Sequence, residues 1–117
     1  MPGSEVAFSP FDVVVVPFPY ADRLAEKRRP ALVVSSATLA AQDIVWVVMI
    51  TSAGNPPRPD DVPIDDLRSA GLHVPSVVRP TKIATVEPDR ILRRAGALDR
   101  RTARAVERTL RRQLAKA

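Results

Sequence analysis

Arg28-Arg29-Pro30-Ala31-Leu32-Val33-Val34-Ser35-Ser36 sets two cations and a proline ahead of a short β-branched run that ends in two hydroxyls. The run 31–34 has the length and composition of a buried strand. Proline cannot donate to a ladder and is tolerated at a strand's first residue or at an edge, which puts the strand start at about Pro30. Arg29 then stands at the strand mouth, anchored by the sheet yet facing solvent. Two readings of it stand side by side. A rigidly held guanidinium matches phosphate oxygens with its planar fork and keeps its charge at every relevant pH. A pair of arginines also serves simply to solubilise and blunt an edge strand.

Upstream, FDVVVVPFPY (11–20) reads as a first strand that stops against Pro17 and Pro19, and the polar, aperiodic residues 21–28 form a hairpin-type connection. Downstream, residues 37–42 suit a single helical turn, and 43–52 are the most apolar strand of the chain. Continuous apolarity there predicts burial on both faces, a central position, and a Trp46 held in the core or a subunit interface. A proline-rich loop follows Thr51-Ser52, with a short edge strand near 61–64 and a capped turn over 65–71 closed by Gly71. Residues 76–86 are β-branched again, Pro80 marking a bulge or an edge, and 91–98 give a last short strand. Asp99 suits a helix N-cap and Leu98 a staple onto Ala103, while Ala103, Val106, Leu110 and Leu114 fall on one helical face. Five or six short strands under one amphipathic helix, without strand–helix alternation, predict a mainly β fold: a small, strongly curved sheet or partly open barrel.

At 117 residues the chain fits a single domain (1–117), with the barrel at about 11–98 and the helix at about 100–115. It has no cysteine and one histidine, His73, so disulfides and a zinc site are not expected, and neither is any cofactor. No basic and apolar leader opens the chain and the longest apolar run, 44–50, is far too short for a membrane span, so a soluble, cytoplasmic protein is expected. The net charge of +5 is lopsided: residues 90–117 carry ten Lys/Arg against Asp99 and Glu107. Such a block fits a solvated helix face, a docking surface for an acidic protein segment, or DNA.

Several blocks in order, Asp12 to Tyr20, Arg28 to Val34, Met49-Ile50-Thr51-Ser52, Gly71-Leu72, Pro75 to Arg79 and Lys82 to Val86, resemble the MazF/PemK toxins of type II toxin–antitoxin systems. The resemblance implies an SH3-like, CcdB/MazF-like barrel and a homodimer. It implies a metal-independent endoribonuclease that cuts single-stranded RNA (mRNA, or tRNA or rRNA) at short sequences. A cognate antitoxin would block the RNA site, and operator DNA would be met only through that complex. By position the family's catalytic arginine falls on Arg29 and its strand-end threonine on Thr51, with Ser52 beside it. Two departures stand out. The glycine that usually precedes the first-strand acid is Phe11, and the acid some members carry two residues after the arginine matching Arg79 is Thr81.

Metal-free RNA cleavage uses the adjacent 2′-hydroxyl as nucleophile and passes through a phosphorane of extra negative charge, so the protein must align attack and stabilise that charge. Arg29 suits stabilisation, and Thr51 and Ser52 suit hydrogen bonds to the scissile phosphate, although strand-end turns use the same residue types. Lys27, Arg28, Arg79, Thr81 and Lys82 are candidates to contact RNA, and Tyr20 to stack on an unpaired base. His73 has no partner suggested by the sequence and is read as a solvent-facing loop residue. Two other functions fit the fold. A gyrase-poisoning toxin would use a C-terminal tryptophan that the ending Gln113-Leu114-Ala115-Lys116-Ala117 lacks, and a non-catalytic SH3-like module would want more surface aromatics than five in all can supply.

Overall fold

The computed structural model describes residues 8–18 and 27–117, so Tyr20 and the rest of the first loop lie outside the described residues. Six strands, β1 (Asp12–Phe18), β2 (Lys27–Val33), β3 (Val45–Ser52), β4 (Val62–Pro63), β5 (Ser76–Val86) and β6 (Arg93–Ala97), form one antiparallel sheet. Its order is β4-β5-β3-β2-β1-β6. A single turn, α1 (Ala37–Ala40), links β2 to β3, and α2 (Arg100–Gln113) closes the chain. The architecture is the mainly β half-barrel with a C-terminal helix expected of a MazF/CcdB-like fold, and β3 is central in it.

Each face of the sheet has its own core. On the helix face Val13, Leu32, Val48, Ile50 and Val78 pack with Ile64, Leu98 and Val106 of α2. On the far face Val14, Val16, Ala31, Val33, Val45 and Val47 pack with Ile91. This parity is the frame for the site, because consecutive strand residues point to opposite faces.

β2 begins at Lys27, three residues ahead of the proline predicted to open it, with Val15 opposite Pro30 and Pro17 opposite Arg28. Both prolines are accommodated by the same alternation. The Val15 carbonyl accepts from Leu92 N–H (2.8 Å), so Val15 turns its polar groups toward β6 and Pro30 turns its own toward β3. The β2–β3 ladder reaches only Ala31, and the β1–β6 ladder only Val15. Pro30 and Pro17 therefore face sides where no partner strand asks for a donor.

Trp46 is 44 % exposed, not buried in the core; it shares the parity of the helix face but lies opposite Thr85, at the end of β3 away from Thr51, while α2 packs over β4 and β5. β5 carries a three-residue bulge: Arg79 faces Met49 and Ile83 faces Val48, leaving Pro80, Thr81 and Lys82 between them.

The helix starts as its sequence foretold. The Asp99 carboxylate caps it by accepting from the amide (3.0 Å) and hydroxyl of Thr102, and it also accepts from Asp66 N–H (3.3 Å). Burial pushes the Asp99 carboxyl up, but these hydrogen bonds outweigh it and hold the group below its ordinary range. Ala103, Val106 and Leu110 face the core as expected, joined by buried Thr102 and Thr109. Leu114 does not: the helix ends at Gln113 and Leu114 is 72 % exposed.

The half-barrel is closed by the connection between β4 and β5. Ser69 accepts from Ala97 N–H at its carbonyl (3.0 Å) and donates its hydroxyl to Ala97 O (2.8 Å), which stitches residues 65–71 onto β6, while Asp65 N–H donates to Thr102 Oγ1 of α2 (3.2 Å). Two glycines permit the approach. A Cβ on Gly71, whose φ is +74°, would lie 2.2 Å from Ala95 O, and one on Gly96 would lie 2.2 Å from Ser69 O.

Candidate functional site

One end of the sheet gathers the starts of β2 and β5 and the end of β3. Ala31 pairs with Met49, and the same register carried two residues outward sets Arg29 opposite Thr51. Arg29 shares the far-face parity of Ala31 and Val33, and Thr51 that of Met49 and Val47. The two residues thus stand on one face, at one end, on neighbouring strands that have parted by this point. Arg29 is half-buried with its Nε fully covered, and Thr51 is buried. A guanidinium held this way loses little freedom on meeting a ligand.

The two hydroxyls differ. Thr51 Oγ1 accepts from Asn55 Nδ2 at 2.6 Å, which fixes the oxygen and leaves its proton to donate elsewhere. Ser52 lies on the opposite parity, and its Oγ accepts from Gly54 N–H (3.2 Å) in the turn after β3. Ser52 thus serves the turn and is not brought beside Arg29 and Thr51.

The proposed RNA contacts are scattered. Lys27 and Arg28 are exposed at the same end of β2, Arg28 on the helix-face side. Thr81 and Lys82 are exposed in the β5 bulge, midway along the sheet. Arg79 is engaged internally: its Nε and Nη2 donate to the two Asp61 carboxylate oxygens (2.9 Å each), and Nη2 also donates to Pro56 O (3.1 Å). That pairing holds the Asp61 carboxyl below its ordinary range and the Arg79 guanidinium above its own. Arg79 therefore braces the loop that follows Thr51 rather than standing open to a ligand.

Phe11, the residue in place of the usual glycine, adopts φ +69°. Its amide donates to Val33 O (2.6 Å) and its carbonyl accepts from Leu98 N–H (2.9 Å), so the left-handed geometry survives the side chain. Asp12, next along, is buried; it accepts from Ser9 N–H (2.9 Å) and pairs with Arg94 (3.1 Å), which makes it a buttress of the β1 entrance.

A cleft of about 410 Å³ opens beside Arg29, lined by Val15, Arg28, Arg29, Pro30, Gly71, Leu72, His73, Leu92, Arg93 and Ala95. His73 and Arg93 were not among the residues picked from sequence. No signal along the chain could join them, because the link is the packing of Gly71 onto Ala95. Among the described residues no three His, Asp or Glu side chains cluster as an ion site, and no helix is long and apolar enough to cross a membrane.

The sequence profile described as PemK-like, MazF-like toxin of type II toxin-antitoxin system matches residues 9–114. The chain belongs to that family. Among solved structures, Mycobacterium tuberculosis toxin MazF-mt6 aligns with 85 % of this chain and 91 % of its own at 23 % identity and TM-score 0.67. MazF from Deinococcus radiodurans (Form-I) aligns with 91 % and 94 % at 21 % identity and TM-score 0.71. A MazE-MazF structure from the same organism (Form-II) aligns with 97 % and 100 % at 20 % identity and TM-score 0.72. At these identities the structures speak for the fold. A search of curated proteins finds no match.

Proposed function

We propose that this MazF/PemK-family toxin is a sequence-specific, metal-independent endoribonuclease that cuts single-stranded RNA, with Arg29 and Thr51 at the reacting phosphate. The observation that supports the reading is the register of β2 on β3, which, carried two residues beyond the Ala31–Met49 pair, gives Arg29 and Thr51 the same face parity at one sheet end. In the reaction the 2′-oxygen forms a bond to the adjacent phosphorus and gives up its proton. The bond from phosphorus to the 5′-oxygen breaks, and that oxygen gains a proton, leaving a 2′,3′-cyclic phosphate. Arg29 offers fixed donors to the non-bridging oxygens, and those bonds strengthen as charge builds there. A guanidinium has donors and no acceptor lone pair, so its role is electrostatic. Thr51, its oxygen fixed by Asn55, donates to the same phosphate. Ser52 supports the turn that holds Thr51. No carboxylate stands at Thr81, and the reading includes none.

The protein acts in the cytoplasm, as a homodimer, on mRNA or another single-stranded RNA, and needs no cofactor. A cognate antitoxin covers the RNA site, and operator DNA is met only in that complex. The support is family membership and relatives such as a mycobacterial endoribonuclease in complex with its cognate antitoxin (20 % identity, TM-score 0.68).

The test is cleavage of a long RNA by the purified protein in EDTA. Discrete cuts are expected, and Arg29→Ala should slow them about 10²-fold or more with the fold intact. Unchanged cutting by the folded variant would remove Arg29 from the mechanism, and uncut RNA with stalled supercoiling would make the protein a gyrase poison.

A further inference from the structure

The cleft beside Arg29 faces the other way from the reacting pair. Arg28, Pro30 and Val15 share the parity of Leu32 and Val13, the helix face, whereas Arg29 and Thr51 belong to the far face. Successive residues of one strand therefore offer a guanidinium to each side of the same sheet end, so an RNA strand laid across that end meets both.

We propose that this cleft is a nucleotide subsite for RNA next to the cut, and that His73 and Arg93 determine which base it takes. The inference rests on the ribonuclease reading and extends it to substrate selection. Four features support it. At about 410 Å³ the cleft falls within the ~300–1,000 Å³ usual for small-molecule pockets. Val15, Pro30, Leu72 and Leu92 give it apolar walls, and Leu92 is 47 % exposed, an apolar side chain held in water at the mouth. On the helix-face side its ionisable lining is Arg28, Arg93 and His73, and among the described residues no carboxylate lines it. Among the described residues neither Arg28 nor Arg93 has an acidic partner, whereas Arg79, Arg94, Arg101 and Arg111 each have one. Planar guanidinium and imidazole groups beside apolar walls suit a base that must be both stacked upon and read at its edge, with a phosphate as counter-charge.

The loop bearing His73 is fixed by the fold. Gly71 lies against Ala95 so closely that a Cβ would overlap the carbonyl, and Leu72 N–H donates to Leu67 O (2.9 Å). His73 and Arg93 consequently come to the cleft from separate elements at a fixed spacing, as discrimination between bases requires.

The experiment uses His73→Ala and Arg93→Ala in the full chain, each first checked for an unchanged melting temperature. Cleavage is measured on an oligonucleotide carrying the cut site with flanking bases and on a dinucleotide spanning only the scissile bond. Each variant should raise KM for the oligonucleotide about tenfold, near the lower end of what one good base contact discriminates, leave kcat and the dinucleotide untouched, and relax base preference at a single flanking position. Unchanged KM and preference in both variants would overturn the proposal. A second readout does not need cleavage: nucleoside 5′-monophosphates should move the His73 imidazole NMR resonances in the wild type and not in Arg93→Ala. If an acidic peptide moves them and nucleotides do not, the cleft docks protein and the proposal fails. If the wild type cuts no RNA, the ribonuclease reading falls by itself, while the resonance experiment still supports or overturns the subsite.

Discussion

Thr51 and Arg79 have similar standing as polar residues among β-branched neighbours, yet their hydrogen bonds differ in kind. Thr51 Oγ1 accepts from Asn55, and the weight of that contact can be measured. Thr51→Val, which keeps the shape and removes the hydroxyl, should lower kcat by about 10- to 100-fold; Asn55→Ala, which only releases the oxygen, should cost less than Thr51→Val in the same single-turnover assay. Arg79 looked like an RNA contact because its partner, Asp61, lies 18 positions away, and separation in sequence says nothing about proximity. The two side chains are only 11 % and 9 % exposed, so removing the acid leaves a poorly hydrated cation. Asp61→Ala should destabilise the fold by about 2–3 kcal/mol in urea unfolding. The sign with pH follows from the lowered Asp61 carboxyl. Its contribution is complete above the unfolded aspartate value (~3.9) and is lost as pH falls through the lower folded value. The gap between wild type and Asp61→Asn should be full at pH 6 and closed in strong acid; a gap that widened on acidification would contradict the pairing.

Among the elements, strand existence was legible and strand limits were not. Runs such as 43–52 announced themselves by composition, and Asp99 announced the helix start, because both signals are local. Proline as a strand terminator failed at Pro17 and Pro30, since what decides is the side to which a residue turns its amide and whether a neighbour strand extends that far. Leu114 failed for a related reason, since periodicity names a face but not how much of it another element covers; Trp46 is exposed, which removes the core reading and leaves the subunit interface. The shared parity of Arg29 and Thr51 followed once antiparallel order was granted, whereas the cleft depended on a loop crossing to β6 and left no trace in the sequence. That crossing is testable at Gly71. Gly71→Ala combines a left-handed φ with a contact to the Ala95 carbonyl that cannot yield, and should cost about 2 kcal/mol or more in thermal unfolding. A variant as stable as wild type would show that the loop does not need its close seat on β6.

At the scale of the molecule, the charge asymmetry belongs largely to α2 and the segment before it, where Arg104 and Arg108 point outward from a helix whose inner side is Thr102, Val106 and Thr109. Local signals described that helix and the curved-sheet class well, but not which distant segments meet to close the sheet. Phe11 and Leu98 are hydrogen-bonded neighbours although 86 residues separate them between, and Ser69 is tied to Ala97 across another long span. Joining such distant points carries the largest loss of chain entropy in the molecule, though that loss grows only slowly with length. The edge strand β6, tied to β1 on one side and to residues 65–71 on the other, is therefore the natural place for the barrel to unlatch. Amides of Ala97 and Leu98 should exchange with solvent at a lower opening free energy than those of Val47 and Val48 in β3, and equal protection would mean that the barrel opens only as a whole. A hoop fastened at a single clasp can be loosened without melting its middle, and the Gly71–His73 segment is part of that clasp. Any opening there would also release the wall of the cleft.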